Sequence, residues 1–282
     1  MRYALGIDTG GTAIKAAVVG EDGSIREKTS VPTPHGPEAL IDAAAGIVRE
    51  LGHDVIDTIG FDIPGIVDES TGSGVFSANL GWRDWAASKA LTEATGRPVA
   101  FGHDVRTGAL AESEWGLGLD NFIYVAIGTG IATVLILDGK PVAAHPWTGE
   151  LGQLPTEGRV LEQVSSAAGI ARAAAEQGIV ADGDGAAEVY RAADQGNDAA
   201  RAVIDHALDV LAGGLAPALA VVGPVPVVLG GGLVNRGEEL LADLHAKLAN
   251  RLGIVPAPEV LTAQLGSWAQ AQGAALRALR LQ

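Results

Sequence analysis

Residues 2–19, RYALGIDTGGTAIKAAVV, decide how this chain folds. Residues 2–7 and 13–19 are short apolar runs of strand character, and Asp8-Thr9-Gly10-Gly11-Thr12 is the tight turn between them. Glycines let a backbone come close to a ligand and aim its N–H groups at an anion. Thr9 and Thr12 add hydroxyl donors, Asp8 is placed to hold Mg²⁺ through water, and Lys15 follows on the second strand. The same turn also reads as an ordinary hairpin in which Asp8 and the threonines satisfy local backbone groups, so taken alone it leaves both readings open.

Outward from this unit, residues 25–31 form a third strand after the turn Glu21-Asp22-Gly23, giving an antiparallel meander. Leu40, Ala44, Ile47, Val48 and Leu51 share one face of a helix over 37–51, with Pro37 in its first turn. Residues 58–63 read as a buried strand that stops at Pro64-Gly65. Helices over 84–95 and 106–115 flank a short strand at 99–102. The second half opens in the same way, with strands at 122–127 and 131–137 around Gly128-Thr129-Gly130, then the hairpin signal Asp138-Gly139. Helices follow at 161–177, 186–194 and 199–222. A buried strand at 225–229 runs into Gly230-Gly231-Gly232, and a helix at 238–252, a strand near Glu259 and a last helix at 268–281 complete the chain. No sequence repeat accompanies the two similar openings. The pattern predicts two α/β domains with a cleft between them: residues 1–105 with the last helix (about 268–282), and residues 106–267.

Composition limits the function. Across 282 residues, 48% are apolar and only 4% aromatic, so the cores are aliphatic. A net charge of −15 disfavours nucleic acid and anionic membranes as partners, yet leaves room for a small anion held by backbone N–H groups. With no cysteine there is no disulfide, iron–sulfur cluster or thiolate zinc site. The N-terminus has no signal-peptide pattern and no run approaches the roughly 20 apolar residues of a membrane span, so a soluble, cytoplasmic protein is expected. The glycine runs fit neither a Walker loop nor a dinucleotide fingerprint.

The order of the three glycine turns resembles the actin/hexokinase-type (ribonuclease H-like) ATPase superfamily, in which two hairpins hold nucleotide phosphates and the last turn holds adenosine. Five further blocks resemble the ROK family of repressors, open reading frames and kinases: Asn79-Leu80-Gly81-Trp82, His103-Asp104, Gly149-Glu150, Gly152-Gln153 and Leu161-Glu162. The resemblance implies an ATP- and Mg²⁺-dependent kinase that phosphorylates a hexose-like sugar. Asp104 is its general base, which takes the proton of the sugar hydroxyl. Asn79, His103, Asp104, Glu150, Gln153 and Glu162 are implied as sugar-binding. Asp8, Gly10, Gly11, Thr12, Lys15, Thr129, Gly130, Gly231 and Gly232 are implied as nucleotide-binding. It also implies a homodimer. Without the resemblance, Asp104 reads as a helix cap and each glutamate as a solvated charge.

Three departures bear on specificity. His103 stands where the family has Asn, Gln153 where it has His, and the zinc loop is missing: only residues 154–160 separate Gln153 from Leu161. A zinc-free loop held by packing of Leu151, Leu154, Val160 and Leu161 is therefore expected. The competing reading is a sugar-binding sensor that has lost catalysis. A repressor needs a DNA-binding segment before the first strand, an iron–sulfur activase needs cysteines, and use of polyphosphate needs a basic groove; the sequence supports none of these.

Overall fold

The computed structural model describes residues 1–281, apart from the side chain of Asn235. Two compact units form. The first comprises Met1–Asp120, Ile136–Thr148 and the chain from Gln264 onward; the second comprises Asn121–Leu135 and Gly149–Ala263.

In the first unit, β1 (Tyr3–Thr9), β2 (Ala13–Gly20) and β3 (Ile25–Pro32) form the expected meander, followed by α1 (Pro37–Leu51) and β4 (Ile59–Ile63). Next come β5 (Ile66–Asp68), β6 (Ser73–Ser77), β7 (Trp82–Trp85), α2 (Ala87–Thr95), β8 (Val99–His103) and α3 (Asp104–Ala111). The main sheet runs β3-β2-β1-β4-β8, with β4 parallel to both β1 and β8. Leu5, Ile7, Ile14 and Val18 pack with Leu40, Ala44, Ile47 and Val48 of α1. The alternating positions Ala4, Gly6 and Asp8 point to the other face.

The second unit begins with β9 (Phe122–Ile127) and β10 (Ile131–Leu137), whose last residues Ile136 and Leu137 pair with β11 (Lys140–Pro141) back in the first unit. A small hairpin follows, β12 (Pro155–Thr156) and β13 (Arg159–Val160), then α4 (Glu162–Ser165), α5 (Ala167–Glu176), α6 (Ala186–Asp194) and α7 (Asp198–Val222). After these, β14 (Val227–Gly230), α8 (Glu238–Leu252) and β15 (Val260–Thr262) complete the unit. β14 lies parallel between β9 and β15. The last helix, α9 (Ala269–Arg280), belongs to the first unit. It covers the small-residue face of the main sheet, where Ala271, Ala275 and Ala278 pack on Ala4, Ala17 and Ala100.

The structure corrects several expectations. Residues 82–85 are a strand rather than a helix start, because Asp84 takes a left-handed φ of 50° that a helix does not accommodate. α3 begins at Asp104 and turns into a π-helical turn at Glu112–Gly116. There the buried Glu112 carboxylate accepts the Gln264 and Leu265 amides at 3.0 and 2.7 Å. The helix expected over 161–177 is broken at Ser166, which is extended (φ −75°, ψ 165°) and caps α5 by accepting the Gly169 N–H at 3.0 Å. The domain boundary expected near Arg106 lies after Asp120, because α3 meets α9 backbone to backbone: a Cβ on Gly273 would fall 1.9 Å from the Thr107 carbonyl oxygen. The expected last domain residue, Gln282, lies outside the described residues.

Contrary to the expectation of no such run, α7 is long and apolar enough to cross a membrane. Here it forms the core of the second unit, burying Ala200, Ile204, Leu208, Leu211, Leu215 and Leu219. Leu154 also departs from expectation at 47% exposed, so Leu161, Leu151 and Val160 are left to hold the loop.

Candidate functional site

The first unit brings Asp8, Lys15, His103 and Asp104 to one end of its sheet. Asp8, next to last in β1, lies beside Lys15 of β2 and Asp62 of β4, all in register. The turn that follows is closed by Gly10 N–H to Ala13 O (3.0 Å) and by the Thr33 hydroxyl to Gly10 O (2.6 Å). Gly11 and Thr12 remain exposed at its tip. Asp8 is only 7% exposed, and among the described residues neither its Oδ1 nor the Thr9 hydroxyl has a hydrogen-bond partner. Burial foremost, and then the charge of Asp104, pushes the Asp8 carboxyl up to about 8, against the opposing pull of Lys15. An orphaned buried carboxyl suits a cation. Among the described residues no three acidic or histidine side chains converge on it. Lys15 is partly committed already: its Nζ donates to Ser267 O at 2.8 Å and lies 5.7 Å from the Trp268 ring.

His103 and Asp104 sit where β8 becomes α3. The His103 Nδ1 accepts from the Val105 and Arg106 amides at 3.2 and 3.4 Å, so the imidazole is the N-cap. Burial, and then Arg106, drives its pKa down to about 3, against the pull of a Gly65 backbone hydrogen bond. The ring is therefore neutral. Its Nδ1 lies 3.3 Å from Asp104 Oδ1, a contact between a neutral acceptor and a carboxylate rather than an ion pair. Asp104 Oδ1 accepts the Val105 N–H at 2.8 Å, which fixes the side chain at the start of the helix. Asn79 stands exposed in the turn between β6 and β7, above the buried Leu80 and Trp82.

Sequence reasoning passed over the polar groups behind this end of the sheet. Asp62 is fully buried within the apolar strand IGFDI and accepts a short hydrogen bond from Thr107. Burial, partly offset by Thr107 and Arg277, raises its carboxyl well above the usual range. Glu69, Arg106 and Arg277 complete the group. An acid inside a buried strand and an arginine on a buried helix face were the signals available.

In the second unit, Thr129 and Gly130 lie in the β9–β10 turn, closed by Gly128 N–H to Gly130 O at 3.0 Å. Glu162, at the start of α4, ties this turn to the neighbouring loop. Its Oε2 accepts the Ile131 N–H at 3.2 Å and its Oε1 accepts Gln153 Nε2 at 2.7 Å. Gly130 leaves room for that carboxylate, since a Cβ there would lie 2.6 Å from Oε2. Glu150 precedes the single helical turn 151–153, and its backbone carbonyl accepts the Gln153 N–H at 3.0 Å. The block is laid on β10 by the Thr133 N–H and hydroxyl, which both donate to Gly149 O at 3.0 and 2.9 Å. Gly231 (φ 92°) follows β14 and presses on the end of β9, where a Cβ would meet Ile127 O at 2.3 Å. The two glycine turns thus share the C-terminal edge of adjacent parallel strands, the edge where open α/β sheets bind ligands. A cavity of about 650 Å³ adjoins Thr129 between α5 and residues 182–186; Gly231 and Gly232 do not line it.

The chain is 31% identical to a glucokinase of Halalkalibacterium halodurans, over 86% of this chain and 84% of that one. It is 30% identical to an N-acetyl-D-glucosamine kinase of Citrobacter koseri, over 88% of each. The crystal structure of a ROK family glucokinase from Streptomyces griseus, in complex with glucose and AMPPNP, superposes with a TM-score of 0.85 at 27% identity and covers 99% of both chains. The fold is the two-domain actin/hexokinase type. The ROK family profile matches residues 4–280, and the chain belongs to the ROK family.

Proposed function

We propose that this protein is a sugar kinase that transfers the γ-phosphoryl group of ATP to a hydroxyl of a hexose-like sugar, with Asp104 as the general base. The observation that carries the reading is Asp104 itself. It is a carboxylate held at a helix N-terminus by an amide at 2.8 Å, within electrostatic reach of the buried Asp8 of the first glycine turn. The helix dipole there favours its negative charge. A fixed carboxylate accepts the sugar hydroxyl, aims its oxygen at phosphorus, and takes the proton as the new P–O bond forms and the bond to the β-phosphate oxygen breaks.

Gly10 closes the first glycine turn with its own N–H, and the N–H groups of Gly11 and Thr12 at the exposed tip are the phosphate donors; Thr129 and Gly130 are the corresponding groups of the second turn. Lys15 adds charge. Asp8 would hold Mg²⁺, which when bound would supply neutralisation of phosphate charge. The turn at Gly231-Gly232 supports the adenosine, and the cavity beside Thr129 is within the usual size range for a small-molecule site. Asn79, Glu150, Gln153 and Glu162 bind sugar hydroxyls. With its amide nitrogen given to Glu162, Gln153 offers its carbonyl oxygen as an acceptor. His103 orients the helix that carries the base, with its ring turned to the cap. The proposal includes a cytoplasmic setting, where ATP is supplied, and a homodimer by family resemblance.

Asp104→Asn keeps the shape and removes the base. It should lower kcat by about 10²–10⁴-fold and leave ATP affinity unchanged in calorimetry. Undiminished turnover in that variant would remove Asp104 from the mechanism.

A further inference from the structure

Glu69 grips the backbone that carries Asp104. Its Oε1 accepts the His103 N–H at 3.2 Å and Arg106 Nη1 at 3.4 Å, while its Oε2 accepts Arg277 Nη1 at 2.9 Å. Arg277 gives its other nitrogen to the Phe101 carbonyl at 2.7 Å, and Arg106 Nη2 reaches the carbonyls of Pro146 and Thr148 at 3.0 and 3.1 Å. The turn from β8 into α3 is thus held at the carbonyl of residue 101 and at the amide of residue 103. Glu69 is in turn aimed by Asp68, whose Oδ1 accepts the Ser70 amide and hydroxyl at 3.0 and 2.6 Å and closes the β5–β6 turn. That small sheet continues into the loop bearing Asn79. Glu69 therefore fastens the sheet that presents Asn79 to the helix that presents Asp104.

Stability is a poor reason for such a group. The Arg106 side chain is 3% exposed, Glu69 17% and Arg277 21%, so the triad carries a desolvation cost that apolar residues of similar volume would avoid. What an apolar side chain cannot do is hold a specified amide and carbonyl in place.

We propose that Glu69, oriented by Arg277, is a positioning residue for Asp104 that acts through the His103 amide. The inference rests on the reading of Asp104 as the base. Steady-state kinetics of the full chain, with the best phosphoryl acceptor from a sugar panel, test it. Glu69→Ala should lower kcat at saturating substrates by about tenfold to hundredfold, the scale of a misplacement of about 1 Å, with the KM for ATP within about threefold of the parent. Glu69→Gln, whose amide oxygen still accepts the His103 N–H while its NH2 no longer pairs with Arg277, should recover part of kcat. Arg277→Met should repeat the Glu69→Ala signature and carries the test if Glu69→Ala does not fold. An unchanged kcat in either, or equal losses in Glu69→Ala and Glu69→Gln that merely track a lower Tm, would overturn the proposal. Asp104→Asn runs alongside: if it stays active, the base assignment has failed instead.

Discussion

His103, expected as a sugar contact, caps the helix that carries Asp104. Its position beside Asp104 suggests a sugar contact, but the ring accepts two amides at the start of α3 and is neutral and buried. Its folded pKa, about 3, lies below the ordinary 6.5. Between those values the unfolded chain takes up a proton that the folded chain refuses, so stability falls as pH drops below 6.5. His103→Asn keeps a capping acceptor and removes the titration. The variant should match the parent within about 1 kcal/mol at pH 8 and exceed it by about 2 kcal/mol at pH 5 in urea melts. Parallel profiles would mean that the imidazole is not held neutral. Asp62 is the opposite case: the sequence places it in a buried strand, yet nothing local tells that Thr107 and Arg277 would come to meet it, since those contacts span 45 residues or more.

At the scale of elements, periodicity made the regular pieces legible. The helix at Pro37–Leu51 and the strands Phe122–Ile127 and Ile131–Leu137 lie where their apolar spacing puts them. Short irregular pieces were not legible, because single backbone choices decide them: the left-handed Asp84 lies inside β7 where a helix was expected to start, and the extended Ser166 splits a helix. The packing of α9 is also a backbone matter. A Cβ on Gly60 would fall 2.0 Å from the Ala274 carbonyl oxygen, so helix and sheet touch with no side chain between them. Gly60→Ala should cost about 1–3 kcal/mol, seen as a lower urea midpoint with an unchanged m-value. Gly11→Ala, whose Cβ would have no neighbour within 4 Å, should leave the midpoint within about 0.5 kcal/mol of the parent. A neutral Gly60→Ala would contradict the close approach.

For the molecule as a whole, the order of the three glycine turns was enough to name the fold, because each must follow a strand and point its amides out of a sheet edge. The division into units was less legible. The sequence does not reveal that Gly273 lets α9 settle on α3 and carry it into the first unit. Which sugar binds is also not written in single residues: relatives of about 30% identity include a glucokinase and an N-acetyl-D-glucosamine kinase. Gln153 and Glu162, proposed above as sugar contacts, are joined to each other by a hydrogen bond at 2.7 Å. The most direct measurement is therefore ADP release from Mg-ATP against hexoses, N-acetylhexosamines, ketoses and polyols, with Asp104→Asn as the blank. A sugar-dependent rate that falls by at least about a hundredfold in the variant is the predicted result. No sugar-dependent rate from the parent, while a sugar still raises its Tm, would contradict the kinase and leave a sugar-binding protein.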